Sequence, residues 1–330
     1  MFDDTVRPPK REGMLTAVGD GPTLRNMGAA GWNDDERAAL VALLRTRPDG
    51  LKWPEIVAEV DRRSSALAFW NEKNPVDLFD DGVEPAELAK ARADIEGWRA
   101  ADLGFLTFLD DAYPSQLREI HDLPPVLFHR GKLVDDEIAV SVVGSRQASR
   151  QGLDAARSIA TGLVERGITV VGGLAAGIDT AGHTAALEAG GRTVAVIGTG
   201  IERYFPAENR ELQDRIAADG LLLSQFWPEA HPTKQTFPMR NTVMSGFGRA
   251  TIIVEAGEHS GARIQARRAV AHARPVILTE MVVRANKWAK TLVDRPGVHV
   301  ASSTVEVMAV VEMVTARPSA MLSILRVSAG

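Results

Sequence analysis

Apolar positions change their rhythm twice along this chain. Residues 1–32 mix proline, glycine and charge with no period, which predicts a mobile lead-in. From Asn33 the stretch "NDDERAALVALLRTRPDG" reads as a helix, with Asn33 as its N-cap, Asp34, Asp35 and Glu36 in the first turn, and Pro48 and Gly50 beyond its end. "WPEIVAEVDRR" and "EPAELAKARADIEGWRA" predict two further helices with proline at or near the first turn. Together they make a helical module over 33–102. "GFLTFLDDAYPSQLREIHDLPPVLFHRG" then predicts two short strands around a turn-rich connection.

From residue 137 onward, continuously apolar, β-branched runs alternate with helical stretches: "IAVSVVG", "ITVVGG", "TVAVIG", "LLLSQF", "ATIIVEAG", "PVILTE" and "VHVAS". Strands without a polar face are buried on both sides. The expected fold is therefore α/β, a Rossmann-like, mostly parallel sheet with helices on both faces, over 103–316, with a tail at 317–330. Ligands of such sheets bind beyond the carboxyl ends of the strands. There the chain places Gly144-Ser145-Arg146, then "GGLAAGID" with Gly172, Gly173, Gly177 and Asp179, then "GTGIERYFPAEN" and "EAGEHSGA".

Four glycine-bearing loops on one rim suit an anion. Ser145 and Ser149 sit where a strand turns into a helix, whose free N–H groups and dipole favour phosphate, and Arg146 adds a planar fork of donors. In "KQTFPMRN", Lys234, Arg240 and Asn241 supply donors and Phe237 a flat ring, the combination that single-stranded nucleic acid needs, although Phe237 is equally compatible with the core. Ser260 and Gly261 open another helix toward the same rim, with Arg263 and Arg267 one turn apart. Asp179 and His183, four apart, invite an acid–base reading, against which stands a capping aspartate with a histidine packed behind it.

Charge sharpens this picture. Residues 1–140 carry 17 basic and 27 acidic residues, a balance of −10, whereas 141–330 carry 21 and 16, a balance of +5. The second part is the expected phosphate-facing half. The absence of cysteine excludes disulfides and thiolate chemistry. The seven histidines show no HxH or HxxxH spacing, so no metal site and no cofactor are expected. No apolar run approaches the roughly 20 residues of a membrane helix, no signal peptide is visible, and a cytoplasmic home is expected.

The ordered motifs "GSRxxSxxG", "VVGGLAAGIDxxxHxxAL", "TVAVIGTGIERYFPxEN", "LLLSQF", "KxxFPMRN" and "VEAGxxSGA" resemble the DNA-processing protein A (DprA/Smf) family from about Trp98 to Pro275. The resemblance implies a homodimeric protein, not an enzyme, that binds and protects single-stranded DNA and assists RecA loading in natural transformation or homologous recombination. It implies DNA contacts at Arg146, Lys234, Phe237, Arg240 and Asn241, with Gly144 and Gly173 letting the backbone approach the strand. It also makes the N-terminal helices a stand-in for a sterile-alpha-motif-like module. The chain departs from the family pattern at Thr242 (usually arginine) and Gln225 (usually glutamate), and it has no Val-Pro-Gly after the sixth parallel-type run and no room for a winged helix after "STVEVMAVVEMV". An alternative on the same fold is a nucleotide sensor or nucleoside-monophosphate phosphoribohydrolase-like enzyme using Glu255.

Overall fold

The computed structural model describes residues 32–75 and 84–316. The expected lead-in, apart from Trp32, and the expected tail lie outside the described residues. The chain opens with α1 (Asp34–Thr46), α2 (Trp53–Arg63), α3 (Ala66–Lys73) and α4 (Ala86–Ala100). Asn33 caps α1 by accepting from the amides of Asp35 and Glu36. Seven consecutive α1 residues, Ala38 to Leu44, are buried, so the apolar middle of this helix is enclosed on every side between charged ends.

Helix α3 has no counterpart in the sequence reading. Its eight residues lack an apolar stripe, and its amino end is held from a distance: Glu36 of α1 accepts from the Ser65 hydroxyl at 2.7 Å and from the amides of Ala66 and Leu67 at 2.7 and 3.0 Å.

The remaining elements are β1 (Gly104–Thr107), α5 (Ser115–Arg118), β2 (Val126–Gly131), β3 (Ala139–Val143), α6 (Arg150–Val164), β4 (Thr169–Gly172), α7 (Ile178–Glu188), β5 (Thr193–Val196), α8 (Arg210–Asp219), β6 (Leu221–Ser224), α9 (Thr236–Phe247), β7 (Ala250–Ile253), α10 (Gly261–Ala271), β8 (Val276–Thr279), α11 (Glu280–Ala285), α12 (Lys287–Leu292), β9 (Val298–Ala301) and α13 (Thr304–Thr315). All nine strands join one sheet in the order β1-β2-β6-β5-β4-β3-β7-β8-β9. Strands β3 to β9 run parallel, as the apolar, fully buried character of β3 to β8 suits, with β9 a partly exposed edge, while β1 and β2 add an antiparallel edge beside β6.

Side chains alternate across the sheet. Val140 and Val142 join α6, α7 and α13 in one cluster, whereas Val143, Val171 and Ile253 join the other, with α9, α10 and the N-terminal helices. The N-terminal helices therefore share a core with the sheet. Trp98 of α4 is the hub, with its ring centroid 4.9 Å from Phe105, 4.8 Å from Phe128 and 5.9 Å from Trp227. The Arg45 guanidinium lies 4.8 Å over the Trp227 ring and pairs with Asp94.

The strand order fixes where a ligand fits. From β3 the chain winds outward through β4, β5 and β6, then α9 carries it back across β3 to start β7 on the other side. The loops after β3 and β7 consequently diverge, and a crevice opens between them.

Candidate nucleic-acid interface

That crevice is a groove of about 510 Å³. Its walls are Val143 to Gln147 at the end of β3, Ala175 and Asp179 after β4, the first turns of α9 from Phe237, and His259 to Ala262 with Ile264 and Gln265 at the start of α10. A slot of about 90 Å³ adjoins it, lined by Gly173 to Ala176, Gly198, Phe205, Pro206 and Phe237, with Arg146 and Arg240 shared between the two spaces. Loops after four different strands thus meet at one place, as the glycine pattern suggested.

Arg146 is exposed, with its guanidinium carbon 5.2 Å from the centre of the Phe237 ring, and it has no carboxylate partner among the described residues. Phe237 is half-buried, not a core side chain. Its ring lies against Gly198, and Phe205, 37% exposed, meets it at 5.4 Å with the planes tilted by 45°. Phe205 was not singled out from the sequence, although "YFP" in the third loop held the signal. Met239 and Ile264 add apolar surface near Pro238 and along the groove wall.

"FPMRN" lies in the first turns of α9, where Pro238 is tolerated because no amide is needed there. This puts Arg240 inward. Arg240 is 6% exposed and donates from Nη1 to the Val196 carbonyl at 2.7 Å and from Nε to Asn241 Oδ1 at 3.2 Å. Burial draws its guanidinium down to about 10, against the pull of Asp179, and Arg146 adds to the lowering. Arg240 therefore stays charged at neutral pH and forms the positive floor of the groove. Asn241 lines the groove beside it.

Asp179 is the counter-charge. Its Oδ2 accepts from the Gly173 amide at 2.8 Å, and amides of Gly144 and Ala175 also point at the carboxylate. Burial raises its pKa, while Arg240 and these amides oppose the rise. One buried carboxylate thereby ties the loops after β3 and β4 to α9. It caps no helix through its side chain, since Gly177 holds that position in α7. His183 is not bonded to Asp179. Its Nδ1 lies 2.7 Å from the Thr193 hydroxyl, and burial, with Arg240 in second place, pushes the imidazole down to about 3.

Three expected phosphate contacts are otherwise engaged. The amide of Ser149 donates to both Glu255 carboxylate oxygens at 3.0 and 3.1 Å, and its hydroxyl donates to Oε2 at 2.6 Å. The amino end of α6 is therefore filled by the protein's own anion, the favourable pairing of a carboxylate with a helix dipole. Glu255, the carboxylate of the enzyme alternative, is spent on this brace. The Ser145 amide donates to the Glu255 carbonyl at 2.7 Å, leaving its hydroxyl toward the groove. Gly172 faces the other way, because a Cβ there would meet His183 Nε2 at 2.6 Å.

The remaining expected residues fall around the rim. Ser260 caps α10 by accepting from the Ala262 amide at 3.0 Å, and Gly261 beside it is exposed; both line the groove. Arg263 turns aside, with Nη1 3.5 Å from the Glu258 carbonyl, and is not part of the lining. Lys234 is exposed in a turn closed by Thr233 and Thr236 just before α9, outside the groove lining and with no ion-pair partner among the described residues.

A mostly parallel sheet with its crevice at the switch point, and a cation, a ring and glycine-edged loops in that crevice, defines a Rossmann-like protein. The chain belongs to the DNA recombination-mediator protein A family, whose model matches residues 104–309. It is 45% identical over 171 residues to the DNA processing protein DprA of Streptococcus pneumoniae, covering 52% of this chain and 60% of that protein. The crystal structure of the S. pneumoniae DprA matches 84% of this chain and 95% of its own at 30% identity and a TM-score of 0.63. The DNA processing protein A of Helicobacter pylori, studied for its single-stranded DNA binding mode, shares the fold at 21% identity, with a TM-score of 0.57 over 64% of this chain and 96% of its own. Helices α1 to α4 precede the family match. Among the described residues no helix is long and apolar enough to cross a membrane.

Proposed function

We propose that this chain binds single-stranded DNA in the groove between the β3 and β7 loops and acts as a recombination mediator, protecting the strand and passing it to a RecA-type recombinase. The observation that carries this is Arg146 set over Phe237 at the mouth of the groove: a free cation for a phosphate and an accessible ring for a base, 5.2 Å apart. Arg240 supplies a fixed positive floor, Asn241, Ser145 and Ser260 supply polar groups, and Lys234 extends the charge along the strand beyond the groove. Gly144 and Gly173 keep the backbone low where the polynucleotide passes. Work as a homodimer, in the cytoplasm and without catalysis or a cofactor, completes the proposal.

Fluorescence anisotropy with an unstructured labelled oligonucleotide tests it. Affinity falls with salt, with a log–log slope of about −0.7 for each phosphate contacted. Arg146→Ala weakens binding and reduces the slope by about that amount. Binding that is independent of salt and unchanged in Arg146→Ala and Lys234→Ala rejects the proposal. A strand-exchange assay with RecA on DNA coated by a single-strand binding protein tests the mediator step.

A further inference from the structure

Away from the groove, on the side of α9 and α10 that meets the connection between β1 and β2, lies a cluster that DNA binding does not use. Asp122 of that connection is fixed by its Oδ2, which accepts from Arg268 Nη1 at 2.8 Å and lies 3.5 Å from the Thr242 hydroxyl. Its Oδ1 faces two imidazoles, His272 Nε2 at 2.7 Å and His121 Nε2 at 3.9 Å. The rings of His121 and His272 meet edge to face, with centroids 5.3 Å apart. One donor atom from each of His121, Asp122 and His272 falls within 4.8 Å of the others.

The hydrogen-bond network assigns the two nitrogens of His272. The Ser245 hydroxyl donates to the Thr242 carbonyl at 3.1 Å within α9, so it accepts from His272 Nδ1 at 2.7 Å, which makes Nδ1 the N–H of that ring. Nε2 is then the nitrogen left to face the Asp122 carboxylate, 2.7 Å away. Nε2 and Oδ1 are thus the two atoms that could turn from this hydrogen bond to a shared metal ion.

We propose that His121, Asp122 and His272 bind a divalent transition-metal ion of the zinc class. Two imidazole nitrogens and a carboxylate oxygen form a donor set for borderline ions such as Zn²⁺, Co²⁺ or Ni²⁺, not for Mg²⁺ or Ca²⁺. The outer shell that such a site needs is in place: the ligating histidine donates its second nitrogen to Ser245, and the ligating carboxylate is held by Arg268 and Thr242. Donor atoms around a tetrahedral zinc lie about 3.3 Å apart given metal–ligand bonds of about 2 Å. The His272–Asp122 contact opens from 2.7 Å to that spacing, while His121, whose side chain is 64% exposed, swings in from 3.9 Å and leaves a solvent path for the ion and for a water as fourth ligand. The sequence gives no spacing signal for the site because the ligands come from residues 150 apart. Bound metal would clamp the β1–β2 connection to α9 and α10. Arg268 tempers the affinity through its charge.

The full chain, stripped with a chelator, is titrated near neutral pH with Zn²⁺ against a chromophoric competitor and with Co²⁺ by visible absorption. The expected result is one equivalent bound, with cobalt bands of a four- or five-coordinate site and a melting temperature that rises with zinc and returns to its starting value on chelation. His121→Ala, at an exposed position, keeps the fold by circular dichroism, weakens zinc by about tenfold or more and removes the cobalt bands. Asp122→Asn acts in the same direction, and His231→Ala, at an exposed loop position outside the cluster, leaves binding unchanged. No saturable single equivalent, or binding by His121→Ala equal to that of the parent, overturns the proposal and leaves the cluster as an imidazolium–carboxylate ion pair.

Discussion

Replacing Gly173 by alanine tests how tightly the floor of the groove is built. A Cβ at that position falls 1.7 Å from Arg240 Nη1 and 2.3 Å from its guanidinium carbon, against an ordinary contact of 3.4 Å or more. The guanidinium must therefore retreat by roughly 1.7 Å. A retreat of that size breaks the 2.7 Å bond to the Val196 carbonyl. It also draws the buried charge away from Asp179. Loss of a charged hydrogen bond costs about 1.5–3 kcal/mol, and removing one partner of a buried pair costs about 3–5 kcal/mol. Because Arg240 is displaced, not removed, the lower range applies, and Gly173→Ala is expected to lose about 3 kcal/mol in urea unfolding. A double-mutant cycle assigns the cause: in an Arg240→Ala background the new methyl group meets space, so a coupling of about 2 kcal/mol is expected. An additive cycle, or a Gly173→Ala variant as stable as the parent, refutes the reasoning.

Three further outcomes follow from the same structure. His183 is neutral when folded down to about pH 3, yet takes up a proton near pH 6.5 when unfolded. Stability is therefore indifferent to this residue above pH 6.5 and falls below it, with about 2 kcal/mol lost by pH 5. The difference between parent and His183→Asn in acid unfolding measures that slope, and parallel curves contradict it. Trp98→Ala removes the aromatic hub between α4 and the sheet edge and is expected to cost about 3–5 kcal/mol by urea unfolding; a loss under about 1 kcal/mol contradicts a shared core. Glu255→Ala strips the brace from the amino end of α6 and is expected to destabilise by about 1–2 kcal/mol, read from the melting temperature; an unchanged melting temperature contradicts it.

What the sequence disclosed, and what it hid, follows the range of the forces involved. Strands β3 to β8 were legible because burial on both faces leaves a nearly continuous apolar run, and the rim loops were legible because close backbone crossings leave glycine: a Cβ on Gly144 would lie 2.6 Å from the Glu255 carbonyl oxygen. Arg146 and Phe237 were named from their places at a strand end and a helix start, but only the structure shows the ring half-buried against Gly198 with the guanidinium over it, where the sequence left it equally compatible with the core. Hidden were the features made by distant partners. Arg240 reads as a surface donor until Asp179, 61 residues earlier, supplies the counter-charge that lets it be buried. Ser149 reads as a phosphate ligand until Glu255 arrives from β7 to fill its site. Helix α3 is invisible because Glu36, about 30 residues upstream, closes its first turn.

Photocrosslinking puts the account to its most direct test. An oligonucleotide carrying 5-iododeoxyuridine is bound to the full chain, irradiated and digested, and the linked peptide is identified by mass spectrometry. Linkage to the peptide that carries Phe237, abolished by Phe237→Leu and weakened by Arg146→Ala, is the expected result. Linkage confined to the opposite rim of the sheet, or to α1 to α4 alone, contradicts the groove as the site of DNA binding.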